Sequence, residues 1–393
     1  PKDLLMRCCE LLAEGLSHPA LFNDEVITRG LRNYGLPPEE ACLYVHSTCV
    51  EITPISSSAV WVASPYINLV EILLDLMGVE NGSTVDFENY EDLIRAYRHK
   101  LGEKIRQEVI NQNRIQKERY YHGGDPLVSC FVNDCLSKGR DVDQGGARYN
   151  WIMPSFVGLA NLVDSLMTLK KMVFEEKKIS MEEMARVLAN DYQEREDLRQ
   201  EILNRIPKYG NDEDEVDKIA EEVTGWILEE IKKYRTYRGD RFIPSLFCWI
   251  MHEQMGSMTP ASPDGRKKGF PLGDGSGPAQ GREKNGPTAS ILSSTKWDHS
   301  PFIGGIAVNM KFEAKWLKGE SLEKMLNLIR TFMERGGFEI QINVINGDTL
   351  IKARENPEQY RDLMVRIGGY SDYFIYLSPA MQEEIIMRTQ HVI

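Results

Sequence analysis

The sequence predicts an α/β fold, and three observations carry that prediction. Helical patterns with one apolar face fill most of residues 1–255. Strand-like runs recur between helices at 288–294, 303–312 and 338–345. The chain has 393 residues, 42% of them hydrophobic, which is ample for a large core. Strands separated by helices along the chain are typical of α/β proteins.

Several predicted helices carry recognisable ends. Asp24 is a candidate N-cap, and Ser180 with Glu183 forms a capping box that starts a further helix. The acidic start and basic end of the 212–235 segment complement the helix dipole. The predicted helices are 4–15, 25–34, a short one from Pro37, 68–77, 86–120 with a possible break near Gly102, 126–136, 157–174, one from 180, 212–235, 321–335, 357–362 and 379–388.

Two further segments, 41–50 and 256–287, have distinctive sequence patterns. Residues 41–50 are predicted to form a strand that runs into an irregular loop holding Cys49 and Glu51. Residues 256–287 are rich in Gly, Pro, Ser and Asp and have few apolar residues, which is typical of a long ordered loop. We therefore expect a boundary there, between parts at 1–260 and 261–393.

Composition excludes several classes of function. The net charge is −12 without a sustained basic patch, so nucleic acid and anionic membranes are poor partners. No run of 18 or more apolar residues predicts a membrane span, and no signal peptide is expected. Seven irregularly spaced cysteines do not resemble a disulfide framework and favour a reducing cytoplasm. Because the chain begins at Pro1 rather than Met, we expect a fragment or trimmed chain.

A glycine pair near the C-terminus stands between two β-prone runs, 363–367 and 373–377. The local sequence is Arg366-Ile367-Gly368-Gly369-Tyr370-Ser371. By itself this segment predicts a hairpin, since adjacent glycines supply the positive φ of a tight turn. Its interpretation changes with the motifs upstream, which are Cys49-Val50-Glu51, Gly145–Asn150, Ser262–Arg266 and Asn285–Thr288.

This ordered set resembles the glycyl radical enzymes, the family of pyruvate formate-lyase, diol dehydratases and choline lyase. The resemblance covers essentially all 393 residues and corresponds to the C-terminal half of a family chain. It implies a barrel that is ten-stranded in the full chain, with surrounding helices. Residues 1–260 would be the C-terminal part of the pyruvate formate-lyase-like barrel domain carrying the Cys loop, and residues 261–393 the glycine radical domain.

The resemblance also implies three catalytic residues, Gly369, Cys49 and Glu51. Gly369 would hold the radical, which its amide nitrogen and carbonyl delocalise and which a Cβ would crowd. Cys49 would become a thiyl that takes hydrogen from substrate, and Glu51 would act as general acid or base.

The expected partners follow from the same resemblance. No cofactor is expected to be bound. A separate S-adenosylmethionine-dependent activating enzyme would install the radical on Gly369, because the chain has no cysteine cluster for an iron–sulfur centre. A small-molecule substrate and a homodimer of the full-length protein are expected.

Other interpretations stay open from the residues. A lone Cys in an apolar setting is usually a small buried hydrophobe. Cys8-Cys9 is an adjacent pair, as in pyruvate formate-lyase, but it lies within a helical pattern. Thr48 beside Cys49 argues against formate-lyase acyl transfer, in which a second cysteine carries the acyl group. A spare-part protein that only supplies a radical domain, or an inert truncated chain, are further alternatives.

The resemblance is incomplete at the substrate pocket. The dehydratase and choline-lyase branches have a His-Asp pair about a dozen residues after Cys-x-Glu, whereas Val60–Ser64 here contains no acid. Glycerol, propanediol and choline are therefore disfavoured, and a less polar or differently held substrate is expected. Trp61 and Ser56–Ser58 could shape this pocket.

The sequence gives no sign of a metal or dinucleotide site. Its histidines are scattered, and Gly273–Gly277 lacks the dinucleotide-binding spacing. We expect the Cys49 loop and the Gly368-Gly369 turn to meet at a buried core built from 44–50, 303–312 and 338–345. The cavity between them should be open on one side.

Overall fold

The computed structural model describes residues 2–59, 61–83 and 86–391. Val60, the first residue of the predicted pocket stretch, lies outside the described residues. Within those ranges, no helix combines the length and the apolar character needed to cross a membrane.

Helices make up most of the regular structure. The helices are α1 Lys2–Ala13, α2 Asp24–Asn33, α3 Pro38–Ala41, α4 Leu69–Met77, α5 Tyr90–His122, α6 Pro126–Phe131, α7 Cys135–Lys138, α8 Leu159–Leu169 (continued by a π-helical turn, Lys170–Glu175), α9 Met181–Ala189, α10 Glu196–Arg205, α11 Asp214–Ile231, α12 Met251–Met258, α13 Gly286–Ser294, α14 Glu320–Glu334, α15 Gly347–Glu355 and α16 Pro379–Met387.

The strands are short and, within the described residues, fall into four sheets. They are β1 Leu21–Phe22, β2 Tyr44–His46, β3 Ile52–Pro54, β4 Tyr66–Asn68, β5 Ser155–Val157, β6 Val308–Phe312, β7 Glu339–Val344, β8 Met364–Arg366, β9 Ser371–Tyr373 and β10 Gln390–His391. The largest sheet has the order β1-β7-β6-β10, in which β6 is parallel to β7 and β10 and β1 is antiparallel to β7. Parallel β4–β5 and two antiparallel hairpins, β2–β3 and β8–β9, complete the set.

Isolated bridges join these strands side by side. Strand β5 pairs with β4, and its segment bridges in parallel to residues 242–245. Leu246 then bridges in parallel to Ile306, just before β6. The result is a parallel wall that runs from β4 through β5, 242–246 and β6 to β7. Because helices lie between these strands in the chain, as in βαβ units, the α/β prediction is confirmed.

The main hydrophobic core lies between this wall and its helices. Helix α8, in which all eleven residues are buried, packs against α4 and α11. Tyr97 on α5 is fully buried and donates a hydrogen bond to the carbonyl of Leu69, 3.0 Å away. A second core lies under β6 and β7, and a third under the C-terminal hairpin.

Several predicted elements differ from the structure. The predicted strand at 288–294 is wrong, because these residues belong to helix α13. Pro287 lies in the first turn of this helix, where its fixed φ favours the helical conformation. The 303–312 strand is regular only from Val308. Gly305 before it has φ +108°, and a Cβ there would meet a Val50 methyl group at 2.7 Å.

Several helix ends and breaks also differ from the prediction. Asn23, not Asp24, caps α2. Helix α5 runs 33 residues without a break at Gly102. The predicted 126–136 helix is two, interrupted where Asp134 has φ +76°. Helices α10, α12 and α15 were not predicted, because each has only a short apolar face in the sequence. In α10, for example, this face consists of Leu198 and Ile202.

Buried hydrogen bonds of Asp264 and Arg266 order part of the polar 256–287 region. The Arg266 guanidinium donates to the carbonyls of Thr259 at 3.1 Å and Phe270 at 2.6 Å. Asp264 accepts from the amide of Asn161 at 2.8 Å. These contacts replace the backbone pairing that a loop lacks, which explains how residues 259–266 stay buried.

Candidate active site

Cys49 and Gly369 lie at the tips of two hairpins. Cys49 is in the bend between β2 and β3, where the Ser47 amide donates to the Glu51 carbonyl at 2.8 Å. Gly369 is in the turn between β8 and β9, closed by a 2.9 Å hydrogen bond from the Ile367 amide to the Tyr370 carbonyl. The two residues are 320 positions apart in sequence, yet the tips are in contact.

The contact between the tips fits glycine alone. Gly369 has φ +79°, and a Cβ built on it would lie 2.2 Å from Cys49 Cβ and 3.0 Å from Cys49 Sγ. No real side chain tolerates such distances, and the left-handed φ independently favours glycine. The backbone of Gly369 therefore approaches the thiol directly. The predicted meeting of the Cys49 loop and the Gly368-Gly369 turn is confirmed.

Glu51 is buried and held by its own loop. Its Oε2 atom accepts hydrogen bonds from Thr48 Oγ1 at 2.7 Å, the Cys49 amide at 3.0 Å and the Val50 amide at 3.1 Å. These donors fix one carboxylate oxygen and compensate its burial. No hydrogen-bond donor to Oε1 is found among the described residues, so this oxygen is available to a bound molecule.

The Cys49 thiol is kept neutral. Burial raises the pKa of Cys49, and the nearby Glu51 carboxylate adds to the increase. A group in this state carries an S–H hydrogen at neutral pH. It is therefore suited to giving up a hydrogen atom rather than to acting as a thiolate nucleophile.

A cavity of about 380 Å³ opens beside the two catalytic candidates on the Cys49 loop. Its lining is mainly apolar and consists of Thr48, Cys49, Glu51, Val62, Ala63, Tyr66, Phe247 and Trp249. Gly369 is not part of the lining, so Cys49 stands between Gly369 and the cavity. A molecule in the cavity would meet the thiol and the carboxylate together.

The stretch that lacks the His-Asp pair contributes Val62 and Ala63 to this cavity, not Trp61. The Trp61 ring instead lies under the Arg119 guanidinium, whose Cζ atom is 4.4 Å from the ring centroid. Burial raises the pKa of the Tyr66 phenol, which keeps it a neutral hydrogen-bond donor. The described part of the pocket is thus mainly apolar, and its lining side chains also include a hydroxyl, a thiol, a phenol, an indole and a carboxylate.

The Gly369 turn is anchored by residues distant in sequence. Gln341 Oε1 accepts from the Gly369 amide at 3.0 Å and from Arg366 Nε at 2.8 Å. Asn343 pairs with the Arg366 backbone in both directions, at 2.7 and 2.8 Å. Arg388, the residue that follows α16, donates to the Arg366 and Ile367 carbonyls at 3.3 and 3.1 Å.

These anchors were not predicted from the sequence. In β7 the residues Glu339, Gln341 and Asn343 alternate with apolar ones, a pattern typical of a strand with one wet face. All six residues of β7 are buried. Polar residues in a strand predicted as core were the available signal, because a buried polar face must have something to bind.

Other sequence motifs are structural. Arg148 forms an exposed ion-pair cluster with Glu40 and Asp134, outside the cavity. Cys8 and Cys9 lie on α1, as the helical pattern predicted. The carboxylates of Asp212, Asp214 and Asp217 come together, but the Lys296 ammonium sits among them at 2.7 Å from each. A bound cation there is unnecessary, since the lysine already supplies the positive charge.

Comparison with known proteins agrees with this geometry. Residues 1–256 match the family model described as pyruvate formate lyase-like, and residues 272–375 match the model described as glycine radical. The chain is 35% identical over 403 residues to trans-4-hydroxy-L-proline dehydratase of Clostridioides difficile, covering 99% of this chain and 51% of that protein. It is 33% identical over 413 residues to isethionate sulfite-lyase of Oleidesulfovibrio alaskensis, covering 100% of this chain and 49% of the relative.

The fold is also that of a solved relative. The glycerol-bound B12-independent glycerol dehydratase from Clostridium butyricum superposes with a TM-score of 0.95 at 37% identity, covering 100% of this chain and 51% of that structure. The chain thus spans about half the length of the relatives it matches. The parallel wall and its helices correspond to the predicted barrel fold, and the glycine radical match implies a post-translational glycyl radical. The chain belongs to the glycyl radical enzyme family.

Proposed function

We propose that the full-length protein is a glycyl radical lyase, which cleaves a C–X bond of a small metabolite by radical elimination, as a dehydratase, decarboxylase or related enzyme. The observation that carries the proposal is the contact between Cys49 and the Gly369 backbone, with Glu51 beside it on the cavity wall. Relatives named as dehydratases, a sulfite-lyase and a decarboxylase support this reaction class.

The proposed cycle conserves atoms and electrons. The Gly369 radical takes the hydrogen atom of the Cys49 thiol, and the resulting thiyl takes a hydrogen atom from a substrate carbon. Glu51 removes a substrate proton beside this carbon radical and returns it to the leaving group, which departs with its bonding electron pair. The product radical regains hydrogen from Cys49, and the thiyl regains hydrogen from Gly369.

In this proposal the two predicted domains carry different catalytic residues. Residues 1–260 would supply the barrel part that carries Cys49 and Glu51, and residues 261–393 the glycine radical domain. A separate activating enzyme using S-adenosylmethionine would install the radical on Gly369, and no bound cofactor is required in this chain.

The alternatives are less well supported. Acyl transfer of the formate-lyase kind needs a second nucleophile beside Cys49, but Thr48 donates its hydroxyl to Glu51 instead. A spare-part protein would resemble only the last stretch, whereas the pyruvate formate lyase-like match covers residues 1–256. The apolar Val62 and Ala63 favour a substrate held differently from a small polyol.

Electron paramagnetic resonance tests the radical assignment. The full-length protein, treated with activating enzyme, reductant and S-adenosylmethionine without oxygen, should give a doublet that is absent from Gly369→Ala. Air should then cleave the activated chain at this glycine. A doublet that survives Gly369→Ala would refute the assignment.

A further inference from the structure

We infer that Gln341 is a positioning residue that stabilises the glycyl radical through the Gly369 amide. The inference rests on the proposed function, since it concerns the radical at Gly369. Gln341 is fully buried, and its Oε1 atom accepts the 3.0 Å hydrogen bond from the Gly369 N–H. No other acceptor for this N–H is found among the described residues.

The orientation of the Gln341 amide is fixed by its neighbours. Oε1 also accepts from Arg366 Nε at 2.8 Å, so the oxygen faces two N–H donors. A flipped amide would turn its NH₂ group toward both donors, which excludes that arrangement. The oxygen therefore points at the residue that would carry the radical.

A buried acid completes the chain of hydrogen bonds. Gln341 Nε2 donates to Glu339 Oε2 at 3.2 Å. Burial raises the pKa of Glu339 well above its usual range, which favours the neutral carboxyl. The donors run in one direction, from Gly369 to Gln341 to Glu339. Such chains polarise each member, which makes the Gln341 oxygen a better acceptor.

The chemistry of the radical gives this hydrogen bond its effect. A glycyl radical is stabilised when its amide nitrogen donates electron density to the Cα centre and the carbonyl withdraws it. An acceptor on the N–H increases the electron density on nitrogen and so strengthens that donation. Gln341 is fully buried and Gly369 is partly buried, so competition of water for this hydrogen bond is reduced.

The strand that carries Gln341 also provides a matched control. Asn343 forms two hydrogen bonds to the Arg366 backbone of the same hairpin, at 2.7 and 2.8 Å. It has no hydrogen bond to Gly369. Loss of either side chain weakens the anchoring of the hairpin, but only loss of Gln341 removes the acceptor from the Gly369 amide.

The test compares Gln341→Met, Gln341→Glu and Asn343→Leu in the activated full-length protein. The readouts are the nitrogen hyperfine coupling of the radical and the rate at which dithiothreitol quenches it anaerobically. Gln341→Met should lower the coupling and speed quenching by about threefold to tenfold, the range that one neutral hydrogen bond accounts for. In Gln341→Glu the Arg366 guanidinium, whose Nε lies 2.8 Å from Gln341 Oε1, would keep the new carboxylate ionised. A carboxylate is a stronger acceptor than an amide, so both readouts should change in the opposite direction.

Asn343→Leu should leave the coupling as in the native protein. Equal couplings in native, Gln341→Met and Gln341→Glu proteins would overturn the inference, as would the same change in Asn343→Leu. If Gln341→Met does not fold or accept the radical, the sign of the Gln341→Glu change decides the question. Absence of a Gly369 radical in the native protein would refute the proposed function itself, whereas a native radical with unchanged variants refutes only the role of Gln341.

Discussion

The two hairpin tips that meet in the site are held by different means. The Cys49 tip is stabilised from within, since Thr48 and the amides of Cys49 and Val50 all bind Glu51. The Gly369 tip is stabilised from outside, by Gln341 on β7 and by Arg388 at the C-terminal end of α16, among others. The first tip therefore keeps its geometry locally, whereas the second depends on contacts that can be broken without unfolding its own turn.

This difference matches what each tip would do. The thiol and carboxylate must keep a fixed relation to each other and to substrate, which a self-contained loop provides. Under the proposed function, the glycine would have to reach an activating enzyme and then return to Cys49. Side chains on neighbouring elements can hold it and release it.

The largest expected effect is in the local tip. Cys49→Ser should accept the radical at Gly369 but turn over no substrate, because an O–H bond is too strong for the glycyl radical to break. Radical content by electron paramagnetic resonance and product formation measure the two properties separately. The exposed thiol of Cys42 offers the control, since Cys42→Ser should leave both unchanged. Measurable turnover by Cys49→Ser would contradict the assigned hydrogen relay.

The second largest effect is expected for substitution of Glu51, the carboxylate of the same tip. Glu51→Gln should keep the radical but lower kcat by about 10²–10⁴, the contribution of a positioned acid–base group. The amide still fills the buried site, so loss of rate without loss of radical separates chemistry from folding. Glu39→Gln, on the exposed face of α3, is the control. An unchanged kcat in Glu51→Gln would remove Glu51 from the mechanism.

Substitution of Arg388, which anchors the Gly369 tip, should change the stability of the hairpin. Arg388 is buried and paired with Glu384 and Asp274 at 3.0 and 3.2 Å. Arg388→Gln leaves both acids without their cation and should lower the free energy of opening of β8–β9 by about 3–5 kcal/mol. Hydrogen–deuterium exchange of residues 364–373 measures this.

An exposed ion pair in the same domain gives the comparison for Arg388. Arg354 binds Glu383, with 41% and 43% of the two side chains exposed. Arg354→Gln should change the opening free energy by about 1 kcal/mol or less. If both variants shift exchange equally, the Gly369 tip is not specifically anchored by Arg388.

The smallest effect is expected at Thr48. Thr48→Val removes one of three donors to Glu51 Oε2, and the two amides remain. The expected loss in kcat is about tenfold, from one hydrogen bond to a charged group with partial compensation. Thr48→Ser keeps the hydroxyl and should restore the rate. A serine variant as slow as the valine variant would show that the methyl group, not the hydroxyl, matters.

The sequence by itself predicted the three candidate catalytic residues, because the motifs of Gly369, Cys49 and Glu51 resemble those of a known family. The proposed chemistry agrees with the residue types, since a Cβ would crowd the radical centre and the hydrogen relay requires a thiol. The α/β class followed from helices alternating with strand-like runs. Local signals also identified the β8–β9 hairpin and the Ser180 cap, whose hydroxyl accepts from the Glu183 amide at 3.1 Å.

Only the tertiary structure decided which polar residues serve the site. The alternation in Glu339–Val344 predicts one wet face, and nothing local distinguishes solvent from a buried partner. The face is dry because the hairpin of residues 364–373 docks there, with Arg366 and Gly369 donating to Gln341. Likewise, Arg388 lies in an ordinary helical pattern until folding brings it against Ile367. Such contacts join residues far apart in sequence, and their partners are set by packing rather than by the local pattern that a sequence displays.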